Sequence, residues 1–83
     1  MDTEGRSFSA LVKEMRRQLA LSQEDLARQL GVSYATVNRW ENGLSKPSKL
    51  AKAQLKAFCE KTIERGKLTL SADMIDFADL GSD

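Results

Sequence analysis

Residues 22–43 read SQEDLARQLGVSYATVNRWENG, and this stretch decides the fold because it sets two short helices on either side of a tight corner. Ser22 offers an N-cap, and Asp25, three positions later, completes a variant of the capping box. The apolar spacing predicts a helix over residues 23–30. Gly31 ends that helix, because glycine adopts the left-handed conformation of such a turn without strain.

A second short helix follows the corner directly. Ser33 caps it, the pattern predicts it over residues 34–42, and Gly43 ends it. Ala27 is small enough to let two helix backbones cross closely, and Val37 packs back from the second helix. A small residue, a glycine four positions later and a β-branched residue six positions beyond that are typical of a helix-turn-helix.

On a helical wheel of about 100° per residue, this second helix divides into an apolar side and a polar side. Val37 and Trp40 lie on the side predicted to face the core. The polar side offers donors, acceptors, an aromatic ring and a methyl group, and its members are Tyr34, Ala35, Asn38, Arg39 and Asn42. Such a surface could serve only to keep the helix soluble. Its place after this corner favours a helix that enters the major groove of DNA.

Two longer helices complete a predicted all-α fold. Apolar residues at helical spacing predict the first over residues 9–20. Pro47 cannot continue a helix but suits the position just ahead of one, and Ser48 can cap it. The last helix is predicted over residues 49–65 and ends at Gly66. Its predicted inner face consists of Leu55, Phe58, Thr62 and Ile63.

Composition limits the functions open to these 83 residues, which make one domain at most. The chain has one cysteine and no histidine, which excludes the common zinc sites and the usual nucleophile–imidazole pairs. We therefore predict a protein that is not an enzyme and uses no metal or cofactor. No apolar run approaches the roughly 20 residues that cross a bilayer, and Cys59 alone fits a reducing compartment. We expect a cytoplasmic protein without a membrane partner.

The net charge of +1 hides an uneven distribution. Residues 1–65 carry twelve basic and eight acidic side chains, whereas residues 66–83 carry one lysine and four aspartates. Residues 43–58 contain four lysines and no acid. A solvated helix face is the simpler interpretation of this lysine run. Its position beside the polar helix favours a strip that faces DNA phosphates, in which we place Lys46 and Lys49.

Residues 66–83 are predicted to form an acidic C-terminal tail beyond a domain that covers residues 1–65. Its apolar side chains would be a liability if they were exposed. The tail should therefore fold back on the domain, pair with a second copy or meet a partner, and we predict that it mediates dimerisation or binds a protein partner. The apolar residues concerned are Leu68, Leu70, Ile75, Phe77 and Leu80.

The sequence SQEDLARQLGVSYATVNRWENGLSKPS, over residues 22–48, resembles the helix-turn-helix of the XRE family, the Cro and phage-repressor type. The resemblance covers roughly residues 8–60. It implies a compact, phage-repressor-like domain of four or five helices whose third helix docks in the major groove of double-stranded DNA. The matching features, in chain order, are Gln23, Leu26-Ala27, Leu30-Gly31-Val32, Val37, Trp40-Glu41-Asn42-Gly43 and Pro47.

The resemblance also implies roles for residues around the third helix. Gln23 would anchor the second helix on a phosphate and brace the start of the third. Asn42 would contact a phosphate beyond the end of the third helix. Arg16 and Glu41 match a partly buried ion pair between the first and third helices, although from sequence alone they could be two surface charges.

Five residues match the positions that approach the bases. Ser33, Tyr34 and Ala35 match the first residues to reach phosphate and bases, and Asn38 and Arg39 match the deeper base-facing positions. Arg39 could bind guanine through O6 and N7, or it could hold a phosphate. Ala35 offers only apolar contact, for example to a thymine methyl group.

Three functions remain open. The preferred one is a homodimeric, sequence-specific transcriptional regulator. The second is a DNA-targeting module that works beside an enzyme, such as a restriction–modification controller or an antitoxin. The third is a helical interaction domain that does not bind DNA.

Overall fold

A computed structural model describes residues 3–69 of the chain. Within that range the secondary structure consists of four helices and no strand, which confirms the predicted all-α fold. The helices are α1 (Thr3–Leu19), α2 (Gln23–Leu30), α3 (Tyr34–Glu41) and α4 (Lys49–Glu64). None of these helices is long and apolar enough to cross a bilayer.

The helix bounds differ from the predicted ones mainly at the start of α1. The prediction for α2 matches, and α3 and α4 each end one residue earlier than expected. Helix α1 begins at Thr3 and not near residue 9, so this part of the prediction was wrong. Apolar residues at helical spacing start only at Phe8, so the polar residues ahead of it do not indicate a helix.

Both the start of α2 and the corner between α2 and α3 have the predicted geometry. The Ser22 hydroxyl accepts the Asp25 N–H at 2.9 Å, and the Asp25 carboxylate accepts the Ser22 N–H, so the capping box is confirmed. Gly31 has a φ of +74°, in the left-handed region. A Cβ placed on Gly31 would meet no atom within 4 Å, so glycine is needed there for its backbone conformation and not for space.

The core lies between all four helices, with α3 packed against α1 and α2, and α2 against α4. Trp40 is 1% exposed, and the Phe8 ring meets it edge-on with centroids 5.5 Å apart. This contact joins α1 to α3. The buried apolar residues are Phe8, Leu11, Val12, Met15, Leu26, Ala27, Leu30, Val37, Trp40, Ala51, Leu55, Cys59 and Leu68.

The inner face of α4 differs from the predicted one. Ala51, Leu55, Cys59 and Thr62 are buried, whereas Ile63 is 39% exposed and was wrongly placed in the core. Each step of four residues overruns a helical turn by about 40°, so a row of such steps rotates out of the interface. A step of three then returns to the interface, which explains why Thr62 is buried as predicted and Ile63 is not.

The core also takes in Leu68, which the sequence had assigned to the tail. Leu68 is 2% exposed, because a turn after α4 brings the chain back to α1. There Gln18 donates to the Thr69 carbonyl at 2.7 Å and accepts the Thr69 N–H at 2.8 Å. The domain boundary at residue 65 stays a prediction. Residues 70–83, which include the remaining apolar tail residues, lie outside the described range.

Candidate nucleic-acid interface

The outer side of α3 carries the side chains predicted to face DNA. Tyr34 is 54% exposed, Ala35 and Arg39 are exposed, and Asn38 is half-buried. Glu41 is the one acidic residue of α3, and its side chain is buried. The exposed surface of α3 therefore carries no negative charge, and its charged side chain is the cation Arg39. Such a surface does not repel a phosphate backbone.

The start of α3 is closed by its cap. The Ser33 hydroxyl accepts the Thr36 N–H at 3.1 Å and lies 2.9 Å from the Thr36 hydroxyl. The first backbone N–H groups of a helix lack partners within the helix and lie at the positive end of its dipole. The exposed start of α3 is accordingly suited to a phosphate group.

Glu41 is the centre of an ion pair that joins α3 to α1. Arg16 binds the Glu41 carboxylate through two nitrogens, one of them at 2.9 Å from Oε1, and also donates to the Leu21 carbonyl at 3.1 Å. Ser9 donates to the Glu41 carbonyl. Arg16 and Glu41, which the resemblance had paired, are thus in direct contact between the two helices.

The pKa of Glu41 reflects two opposing causes. Burial raises it, but the hydrogen bonds from Arg16 and Gln23 and the positive charge of Arg16 outweigh burial. The pKa of Glu41 therefore lies below its ordinary value of 4.5. The hydrogen bond to Glu41 and the negative charge of Glu41 raise the pKa of Arg16, so the pair is ionised at neutral pH.

Gln23 connects this ion pair to the outer face of α3. Its Nε2 donates to Glu41 Oε1 at 3.0 Å, and its Oε1 accepts from Asn38 Nδ2 at 3.2 Å. Its hydrogen bonds thus reach the middle and the end of α3, and not its start as the resemblance implied. The residue at the start is Tyr34, whose side chain lies with Gln23 along a shallow surface cavity.

The Asn42 side chain is turned back onto α3 and contacts Asn38. Its side-chain nitrogen donates to the Asn38 carbonyl at 2.9 Å and to Asn38 Oδ1 at 3.1 Å. Two contacts match the two hydrogens of an amide nitrogen. The Asn42 side chain therefore offers only its oxygen to a ligand unless one of these bonds breaks, which does not favour the predicted phosphate contact.

Arg39 and Lys46 line one groove beside α3. The groove also receives the hydroxyl-bearing residues at the starts of α3 and α4, including Ser33 and Ser48. Ser48 caps α4 by accepting the Ala51 N–H at 3.1 Å. Two cations and two helix starts on one groove suit a phosphate backbone. Lys49 is exposed in the first turn of α4 and lies outside the residues that line this groove.

Comparison with known proteins identifies the family. Residues 12–51 match the family model described as helix-turn-helix. This segment is a DNA-binding helix-turn-helix domain of the XRE family. The resemblance inferred from the sequence is thereby confirmed, and double-stranded DNA is the partner that the family implies.

The helix-turn-helix domain also has a similar protein among the methyltransferases. Over 81 residues the chain is 36% identical to the type II methyltransferase M1.ScrFI of Lactococcus lactis subsp. cremoris. The match covers 93% of this chain but 21% of the methyltransferase, so the chain spans about a fifth of that relative's length. No solved structure matches the chain.

The apolar residues predicted to support the helix-turn-helix domain lie in its core. Ala27, Val37 and Trp40 are buried there, and the Val32 N–H donates to the Ala27 carbonyl at 3.0 Å across the corner. Within residues 3–69, no group of acidic or cysteine side chains could hold a metal ion.

Sequence reasoning missed the bond between Gln23 and Asn38 and the contribution of Ser9. The first had a possible signal, because Gln23 opens α2 and Asn38 lies on the polar side of α3. Nothing in the sequence indicated that Ser9 would donate to the carbonyl of Glu41, since that contact depends on how α1 crosses α3.

Proposed function

We propose that the helix-turn-helix domain binds a specific sequence of double-stranded DNA, with α3 in the major groove, as a transcriptional regulator. The observation that carries the proposal is the acid-free outer face of α3, held on the core by Val37 and Trp40. The one acidic residue of α3, Glu41, is buried and neutralised by Arg16. An outer face that is polar but carries no negative charge is what a helix in the major groove requires.

Phosphate contacts and base contacts divide between different residues in this proposal. Lys46, Lys49 and the starts of α3 and α4 face the phosphates and supply affinity that does not depend on sequence. Side chains in the middle of α3 reach base edges and supply specificity. The residues assigned to the bases are Tyr34, Ala35, Asn38 and Arg39.

A homodimer is part of the proposal. Two copies of a helix-turn-helix related by a two-fold axis read two half-sites about one helical turn of DNA apart. The support is the composition of residues 66–83, which combines apolar residues with four aspartates. Because Leu68 is buried within its own domain, we assign the self-association to the apolar tail residues that follow it in the sequence.

The methyltransferase relative favours a second candidate. A chain that is 36% identical to part of a type II methyltransferase could be a DNA-targeting module associated with restriction and modification. In that case residues 66–83 would be the segment that binds the enzyme. Both candidates use the same DNA-binding face, and they differ in whether a second copy or an enzyme accompanies it.

Selection of bound duplexes from random DNA, combined with light scattering of the complex, tests the proposal. We expect one enriched palindromic site and the mass of a dimer on DNA. An enriched single half-site together with copurification of a methyltransferase would support the second candidate. The absence of any enriched site would overturn both and leave the helical interaction domain.

A further inference from the structure

A chain of side-chain hydrogen bonds starts at the Glu41 carboxylate, which the paired Arg16 guanidinium keeps ionised. An ionised carboxylate only accepts hydrogen bonds. The end of the Gln23 amide that faces it must therefore be the nitrogen, and Nε2 lies 3.0 Å from Oε1 of Glu41. The orientation of the Gln23 amide follows from the charge of its partner.

The same logic passes from Gln23 to α3. With Nε2 turned to Glu41, Gln23 presents its oxygen to Asn38, and an amide oxygen only accepts. Asn38 must therefore donate through Nδ2, which lies 3.2 Å from the Gln23 oxygen. Asn42 fixes the other end, since its Nδ2 donates to Asn38 Oδ1 at 3.1 Å. The Asn38 amide is oriented from both sides.

The remaining hydrogen-bonding capacity of Asn38 is one hydrogen and one oxygen lone pair. An amide has two hydrogens and two lone pairs, and one of each is used within the protein. In the major groove, adenine offers the N6 donor and the N7 acceptor side by side, whereas guanine offers two acceptors, cytosine one donor and thymine one acceptor. Among single bases, adenine alone offers both the acceptor and the donor that the free positions of the half-buried Asn38 side chain require.

We propose that Asn38 reads adenine in the major groove and that Gln23 is the positioning residue that fixes its amide for this contact. The proposal rests on the proposed function, because it assumes that α3 enters the groove. It assigns a base to Asn38 and gives Gln23 a part in specificity in addition to any phosphate contact.

The test uses the selected duplex and the full chain. Comparing the sites selected by the wild type and by Asn38→Ala identifies the adenine whose preference the substitution relaxes. That adenine is then replaced by 7-deazaadenine, which lacks the N7 acceptor but keeps its base pair. We expect wild-type affinity to fall about tenfold, because the free Asn38 Nδ2 hydrogen loses its acceptor. Asn38→Ala should bind the adenine duplex and the 7-deazaadenine duplex with equal affinity.

Gln23→Met keeps the approximate size of the side chain and removes both hydrogen bonds. We expect it to reduce the penalty for 7-deazaadenine to about twofold or less. Gln18→Met is the matched control, because Gln18 makes its amide bonds to Thr69 at the start of the tail. This control should keep the full penalty. Unfolding curves for both variants verify that the folded state persists.

The outcomes separate this inference from the proposed function. A wild-type chain that selects no duplex overturns both. A chain that selects a site without an Asn38-dependent adenine overturns only the inference. If Gln23→Met weakens every duplex equally and keeps the penalty, Gln23 serves a phosphate alone and its positioning role is wrong.

Discussion

At the scale of single residues, Arg39 allows the most direct test of sequence specificity. It is the one cation of α3, it is exposed, and it shares a groove with Lys46. From this place its guanidinium can fork onto guanine O6 and N7 or hold a phosphate beside the groove. The two roles differ in how they depend on the base sequence.

We predict that Arg39 reads guanine. Arg39→Ala should then cost about 1–3 kcal/mol of binding free energy on the preferred duplex and much less where that base pair is changed. Arg39→Lys should not restore the loss, because an ammonium lacks the planar pair of donors. Titrations of both variants against both duplexes at one salt concentration measure this. Equal losses on both duplexes, with rescue by lysine, would show a phosphate contact.

Cys59 gives a second prediction at this scale. Burial, and secondarily the charge of Glu60, raises the pKa of its thiol to about 11. Since the thiolate is the reactive form, the folded protein should react very slowly with a thiol reagent at about pH 8. Unfolding by urea should make the reaction fast. Rapid labelling of the folded chain would mean that α4 opens readily around Cys59.

At the scale of elements, α4 is amphipathic in charge as well as in burial. Its buried row packs on the core, and its first turn carries the exposed Lys49. Lys46, just ahead of α4, lines the groove of Arg39. Lysines at the start of a helix oppose the helix dipole, so they do not favour the helix itself. Their position next to α3 fits the phosphate contacts proposed for them.

We predict that Lys46 and Lys49 neutralise phosphates. Each such contact adds about −0.9 to the slope of log affinity against log salt, so replacing both by glutamine should make the slope shallower by up to about 1.8. Site preference should stay nearly intact. Replacing Lys61 and Lys67 by glutamine makes the same charge change near the far end of α4 and should leave the slope nearly unchanged. Equal slopes for wild type and Lys46/Lys49 variant would return the lysines to a solvated face.

At the scale of the whole molecule, the Arg16–Glu41 pair ties α1 to the end of α3, so titration of Glu41 should affect global stability. The folded-state pKa of Glu41 is lowered below 4.5. Its contribution to stability is therefore present above about pH 4.5 and is lost as the pH falls through the lower, folded-state value.

Urea unfolding of the wild type and of Glu41→Gln across the acid range tests this prediction. The wild type should lose more free energy of unfolding between about pH 6 and about pH 3 than the variant does. The variant keeps Glu14 and Asp25, whose pKa values are also lowered, so part of the acid dependence should remain. Identical acid dependence in the two proteins would show that Glu41 does not couple protonation to folding.

The sequence by itself determined α2, α3 and the corner between them. These elements depend on interactions between residues three to five positions apart, such as the Ser22 capping box and the left-handed turn at Gly31. Interactions of this range are encoded in the order of the residues, so the bounds of α2 could be predicted without knowledge of the rest of the chain.

Only the tertiary structure decided which side chains meet between elements. Gln23 reaches Asn38 and Glu41 across 15 and 18 positions, and Gln18 reaches Thr69 across 51. Burial of Leu68 and exposure of Ile63 were likewise not evident from spacing. The physical reason is that such contacts depend on the angles and distances at which whole helices cross, which follow from packing of the complete core and not from any local pattern.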